Sequence, residues 1–280
     1  VGLKPTYGRV SRYGIASLSW SLDHAGPLTR TVGDAAVALS ALAGHDGRDP
    51  GCADVPVGDY LSELEHGVRG LRIGVPTNYF FDRVNPAVET QVREAIDRLK
   101  AEGAEIVSVE IPMADQIMAV EFGLCMPEAS AYHHEMFRQR REMYQEDVRT
   151  FLEAGELIPA TEYIAALRVR AQMQSAWKRM FDGLDAIVAP AVPAAATRRD
   201  QASIAWPDGV EEPVTPAFVR LSAPANVTGL PSVAVPCGFS PDGLPLSFQV
   251  IGRPFQEARI LRIARTYERT ADWSSRLPAQ

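Results

Sequence analysis

Cysteine is scarce in this sequence. Its 280 residues hold three, Cys52, Cys125 and Cys237. The number is odd and no CxxC pair occurs, so a disulfide framework and a zinc site are both disfavoured. A reducing, cytoplasmic setting is expected. Basic blocks are also missing: 28 Lys and Arg face 35 Asp and Glu, for a net charge of −7. Direct nucleic-acid binding is not expected of such a chain. The short basic runs at 138–141 and 198–199 read as solvated faces. No apolar run is long enough to span a bilayer, so no membrane association is expected. The chain has no initiator Met and opens on VGLKPTYGRVSRYG, which reads like the middle of a folded domain. The expectation is that an N-terminal part precedes it.

What is present is ordinary globular composition, 46% hydrophobic and 22% charged. One large domain over 1–280 is expected, with no internal repeat or linker. In SLDHAGPLTRTVGDAAVALSALAG, Thr29 or Thr31 can cap a helix whose Val32, Ala35, Ala36, Leu39 and Leu42 recur at helical spacing until Gly44. LRIGVP (71–76) reads as a buried strand. Asn85 and Pro86 then open a helix with Val88, Val92, Ile96 and Leu99 on one face, ended by Gly103. AEIVSVEIP (104–112) alternates as a strand does. Strand, helix, strand makes a βαβ unit with parallel pairing, hence an α/β fold. The stretch 113–181 is expected to be mostly helical, with breaks near Pro127 and 155–159. DAIVAPAVP (185–193), PSVAVPCG (231–238) and GLPLSFQVIG read as strands, the last entered through the Asp242-Gly243 turn. The stretch 194–216 reads as a long irregular loop, and a last helix is expected over 255–271.

No self-contained catalytic motif accompanies these elements. GxSxG, HExxH, the phosphate-binding P-loop and GxGxxG are all absent. His133-His134-Glu135 is the densest polar cluster, but adjacent helical histidines point about 100° apart and cannot easily share a metal. Cys237 follows an apolar strand with no evident base partner and reads as a small buried hydrophobe. Asp23 beside His24 suggests an oriented imidazole, without a nucleophile motif. On spacing alone the sequence specifies an α/β domain and no chemistry.

Longer segments carry more. GLKPTYGRVSRYG followed by SLDHAGPLTRTVGDAA closely resembles the amidase signature family. So do LDAIVAPAVP, APANVTGLPSVAVPCG and GLPLSFQVIGRPFQEARILRIA, all in the family's order, from Val1 to about Ala271. The resemblance implies a mixed β-sheet sandwiched between helical layers. It implies hydrolysis, or ammonia transfer, at a carboxamide, by a Ser nucleophile, a second Ser in a cis peptide and a Lys, with no cofactor. In the family those three residues precede the KPTYG stretch. No catalytic residue is therefore expected within 1–280: Lys4, Ser11, Ser17 and Ser19 do not occupy the catalytic positions. The resemblance also implies that Arg170, in the helical stretch EYIAALRVRAQMQSAWKRMF, contacts a substrate carboxylate. Arg170 shares a stripe with Tyr163, Leu167 and Gln174, beside a buried stripe of Val169, Met173 and Trp177. The A subunit of glutamyl-tRNA(Gln) amidotransferase carries an acidic residue where this chain has Val219. That departure favours a general amidase acting on a small-molecule amide, alone or as a homodimer. The alternatives are a non-catalytic relative and the amidotransferase subunit.

Overall fold

The computed structural model describes residues 1–271 and Trp273. Eight strands and seven α-helices follow in the order β1 (Gly2–Lys4), α1 (Val32–Leu42), β2 (Arg72–Pro76), α2 (Pro86–Ala101), β3 (Glu105–Val109), α3 (Ile117–Arg140), α4 (Glu146–Glu156), α5 (Ala160–Met180), β4 (Ala186–Pro190), β5 (Ser203–Ala205), β6 (Glu211–Pro213), α6 (Val214–Thr228), β7 (Ser232–Phe239), β8 (Pro245–Gly252) and α7 (Glu257–Thr270). Six strands form one mixed sheet in the order β1-β7-β8-β4-β2-β3. β2 pairs in parallel with both β3 and β4, while β8 runs antiparallel to β4 and β7, and β1 antiparallel to β7.

The βαβ expectation holds in detail. Asn85 accepts from the Ala87 N–H at 2.9 Å and Pro86 opens α2, where a missing N–H costs nothing. Val88, Val92, Ile96 and Leu99 are buried, and α2 lies on β4, β7 and β8. Thr31 rather than Thr29 caps α1, accepting from the Asp34 N–H at 3.1 Å. The two faces of the sheet can be told apart at β8. Phe248 packs edge-on against Tyr267 of α7, with ring centroids 4.7 Å apart. The next residue, Gln249, donates to the Leu221 carbonyl of α6 at 2.8 Å. Successive strand residues point to opposite faces, so α7 and α6 cover opposite sides of the sheet. α1 and α2 join α7, and α3 packs against α4, α5 and α6.

Two expectations need correction. The helix does not break near Pro127: α3 runs through it. Packing along α4, α5 and α6 outweighs the lost hydrogen bond. The stretch 194–216 is not wholly irregular either. β5 and β6 form a short antiparallel hairpin over a small cluster of Ile204, Trp206 and Ala217. The α6 helix begins at Val214, inside the stretch expected to be irregular.

Pro224 has a structural consequence. A residue at 224 would ordinarily donate its N–H to the Arg220 carbonyl, four residues back. Proline cannot, and that carbonyl instead accepts from Tyr79 Oη at 2.7 Å. Arg220 returns the contact, donating to the carbonyls of Asp82 at 2.9 Å and Arg83 at 3.0 Å. The loop after β2 is thus plugged into a gap in α6 that proline opens. Replacing Tyr79 by Phe should cost about 1–3 kcal/mol, the penalty of an orphaned buried carbonyl. In a Pro224→Ala background the restored N–H satisfies that carbonyl and the cost should fall well below this. Urea unfolding of the four proteins checks the cycle; additive effects would refute the assignment.

Candidate functional site

Residues 5–31 contain almost no regular structure, so their place is set by side chains from elsewhere. Glu257, fully buried at the start of α7, accepts the Thr6 N–H at 2.9 Å, and Thr6 Oγ1 accepts the Phe255 N–H at 2.8 Å. Asp49 accepts from the Arg12 backbone at 2.8 Å and from its guanidinium at 3.0 Å. That guanidinium, with the backbone N–H bonds, holds the Asp49 carboxyl below its ordinary range despite burial. Glu128 of α3 accepts from Ser19 Oγ at 2.6 Å, from the Ser21 N–H at 2.8 Å and from Tyr163 Oη at 2.9 Å.

Arg170 completes this arrangement from α5. Its Nη2 donates to the Ser21 carbonyl at 2.8 Å and its Nε to the Val227 carbonyl at 2.8 Å. Glu128 and Arg170 therefore grip the N–H and C=O of one residue, Ser21. Nη1 of Arg170 has no partner among the described residues, so one edge of a rigidly held guanidinium stays free. Burial lowers the Arg170 pKa, partly offset by Glu128, Tyr7 and Glu121. Of the stripe expected to be buried, Met173 and Trp177 are fully buried and Val169 only half-buried, while Leu167, on the Arg170 stripe, is exposed. Gln174, one turn on, donates to Thr228 O at 3.4 Å.

Beside β1 and the end of β4 lies a cleft of about 340 Å³, bounded by Lys4, His24, Leu28, Ser222, Ser232 and Gln249. Gln249 is fully engaged, holding the Pro190 and Leu221 carbonyls and the Ser232 hydroxyl. Among the described residues, Lys4 Nζ reaches only the Pro5 carbonyl, at 3.2 Å. Desolvation lowers its pKa to about 7, against the pull of Glu257 and Glu121. His24 is oriented not by Asp23 but by the Leu22 carbonyl, 2.6 Å from Nδ1. Asp23 instead binds Ser17 and the N–H groups of Leu18 and Ser19. Burial, and then the Lys4 charge, push the His24 pKa down to about 3. The imidazole is thus neutral, with Nδ1 protonated and Nε2 buried without a partner.

Two acidic residues here were not singled out from sequence. Glu121 and Glu128 lie on the buried face of α3, seven residues apart among Ile117, Val120 and Leu124. Carboxylates within an apolar helical stripe are the signal that could have flagged them. Glu121 accepts from Asn226 at 3.2 Å, its Oε2 is unpartnered, and burial raises its pKa to about 6. The remaining candidates are inert. His133 meets Tyr144 Oη at 3.2 Å and His134 meets Glu156 at 3.2 Å. No grouping able to hold a metal occurs among the described residues. Cys237 is buried and its thiol is pushed up to about 12 by desolvation. Ser19 is 1% exposed and committed to Glu128. Val219, on α6, is half-buried against the main core.

With this geometry in view, comparison with known proteins places the chain. The Amidase family profile matches residues 1–261. The chain belongs to the amidase family. An amidase of Pseudomonas putida is 51% identical over 99% of this chain and 60% of its own length. The A subunit of the Myxococcus xanthus glutamyl-tRNA(Gln) amidotransferase is 37% identical, with the same coverage. Among solved structures, one described as a vestigial protein complex revealing the evolutionary origins of an s-triazine catabolic enzyme superposes with a TM-score of 0.90. It is 32% identical, over 96% of this chain and 58% of that one. The A subunit of the Thermotoga maritima glutamyl-tRNA(Gln) amidotransferase superposes with a TM-score of 0.79 at 31% identity, over 97% of this chain and 58% of that one. The chain thus spans about 60% of the length of the curated relatives it matches. Among the described residues no helix is long and apolar enough to cross a membrane.

The Lys4 environment yields a pH prediction. The folded pKa is about 7 and the ordinary value 10.5. Between those values the unfolded chain binds a proton that the folded one does not, so stability rises with pH across the window. Below pH 7 both states are protonated and the burial penalty stands in full. Urea unfolding of wild type and Lys4→Met at pH 7, 8.5 and 10 should show wild type gaining on the variant as pH rises. A pH-independent difference would exclude a desolvated ammonium at this position.

Proposed function

We propose that residues 1–280 form one domain that supplies the substrate-binding side of a carboxamide hydrolase. Its Ser nucleophile, bridging Ser and Lys belong to the part of the relatives' length that this chain does not span. The observation that carries this reading is Arg170. Two backbone carbonyls fix its guanidinium and leave Nη1 free beside the pinned N-terminal segment, within a chain that matches the amidase family over most of its length. A guanidinium so held suits a substrate carboxylate, because little ordering entropy remains to be lost on binding.

The chemistry assigned to the missing residues is acyl transfer. A Ser hydroxyl becomes nucleophilic when a base takes its proton, and a desolvated neutral Lys can act as that base through the second Ser. Backbone N–H groups stabilise the tetrahedral oxyanion, water completes hydrolysis, and no cofactor enters. The substrate is a small amide, and the protein acts in the cytoplasm without nucleic acid, alone or as a homodimer. The relatives named as amidotransferase subunits support the rival reading, ammonia transfer from glutamine. Val219 weighs against it, since an aliphatic side chain offers an amino group no acceptor.

Two experiments test the proposal. Residues 1–280 alone should release no ammonia from a primary amide, while the same chain joined to the missing upstream part should. Comparable rates from both would overturn the assignment of catalysis to that part. In the active longer protein, Arg170→Met should raise KM for an amide bearing a free carboxylate by about ten- to a hundredfold, the worth of a charge-assisted bond. KM for a neutral amide should move little. Equal losses on both substrates would make Arg170 a clamp for Ser21 and nothing more.

A further inference from the structure

We propose that a second cavity, at the C-terminal end of α5, binds a small apolar monocarboxylate. The cavity holds about 750 Å³ and shares no wall residue with the cleft beside β1. Its floor is apolar: Trp177, Phe181 and Leu230 are 1%, 3% and 5% exposed. Its rim is polar and cationic.

Arg253 donates Nε to the Leu184 carbonyl at 3.0 Å and Nη2 to the Phe181 carbonyl at 2.7 Å. These bonds cap the end of α5 and lock the guanidinium in place, with Nη1 uncommitted among the described residues. Lys178, on the rim, has no partner among the described residues. Arg259 adds a third cation, bonded through Nη1 to Asp185 at 2.6 Å. The N-terminus of α7 also borders the cavity through Gln256, and no side chain caps it. The rim cations favour an anion, while the α7 start adds little, because Glu257 already places a carboxylate in its first turn.

Two acids set the charge of that anion. Asp185 is saturated by Arg259 and by the Arg72 N–H at 2.8 Å. Asp182 stands on the rim without a partner among the described residues and repels a second negative charge. The wall thus sets three cations against two acids, which suits one negative charge better than two. An apolar floor beneath a cationic rim fits a carboxylate attached to a flat or aliphatic body rather than inorganic phosphate. This inference does not rest on the hydrolase reading. Under that reading, the acid released from an amide belongs to the same class, and the site would sense product.

Calorimetric titration of the full-length protein with sodium benzoate, benzyl alcohol and inorganic phosphate tests the site. Benzoate should bind saturably, whereas its neutral, non-hydrolysable analogue benzyl alcohol and phosphate should not. Lys178→Glu lies on an exposed helical surface that tolerates substitution, and should weaken benzoate by about tenfold, one charge-assisted contact. Arg170→Met should leave benzoate binding within about twofold of wild type, since the two sites are separate. No saturable binding, equal binding of benzyl alcohol or phosphate, or indifference to Lys178→Glu would each overturn the proposal. Loss of benzoate binding in Arg170→Met would assign the ligand to the Arg170 site and overturn it too. Failure of the amide-hydrolysis experiments would leave these outcomes unchanged.

Discussion

Buried carboxylates accepting backbone N–H groups hold this structure together at its least regular point. Glu257 takes Thr6, Glu128 takes Ser21, and Glu268 takes Val32 at 2.8 Å. The last of these satisfies an N–H at the start of α1 that no turn of helix can reach. Each acid sits on a helix remote in sequence and each is at most 9% exposed. A buried, hydrogen-bonded carboxylate is directional in a way that apolar packing is not, and losing its partner is expensive. That is why a segment whose pairing beyond β1 is limited to isolated bridges at Val10 and Leu28 can still present Arg12, His24 and Ser21 in fixed positions. Arg170 depends on the same device, since its carbonyl partner on Ser21 is held in place by Glu128.

The mixed sheet gives these helices their common frame. Parallel pairing of β2 with β3 and β4 places the loops after β2 and β4 at one end, where ligand sites in α/β sheets tend to lie. At that end α6, the β5–β6 hairpin and the loop after β2 meet. Tyr79 and Arg220 fasten the loop to the helix, and Gln249 ties β8 to β4, β7 and α6 through three hydrogen bonds. The cleft is therefore bordered by parts whose relative positions are each fixed by a polar contact as well as by burial.

Elements written as local patterns were legible in the sequence. The Asn85-Pro86 start of α2 and its valine stripe could be read directly, because capping and amphipathic spacing are properties of neighbouring residues. The same holds for the Asp242-Gly243 turn between β7 and β8. What could not be read had its cause elsewhere in the fold. Pro127 looked like a helix break because its compensation comes from packing partners, and the contact that fills the gap at Pro224 comes from Tyr79, 145 residues earlier in the sequence. The substrate-binding reading of Arg170 came from family resemblance, since its stripe alone does not distinguish a ligand contact from the clamp on Ser21. Glu121 and Glu128 were visible as charges in an apolar stripe, but most of the residues that donate to them, Ser19, Ser21 and Asn226, lie more than 100 positions away. Asp23 was adjacent to His24 in sequence, yet a carbonyl two residues back orients the ring.

The pinning of the N-terminal segment by α7 bears on how the chain reaches its native state. Thr6 and Glu257 are 251 residues apart, and Val32 and Glu268 are 236 apart. A chain made from its N-terminus exposes residues 5–31 long before Glu257 of α7. During synthesis this segment has little local structure to retreat into, and its anchor on α7 does not yet exist. Contacts of such long sequence separation slow folding and prolong exposure of unpaired backbone. The KPTYG segment is therefore fixed only after α7 has been made, and the nascent chain depends on that helix to order a stretch synthesised long before it.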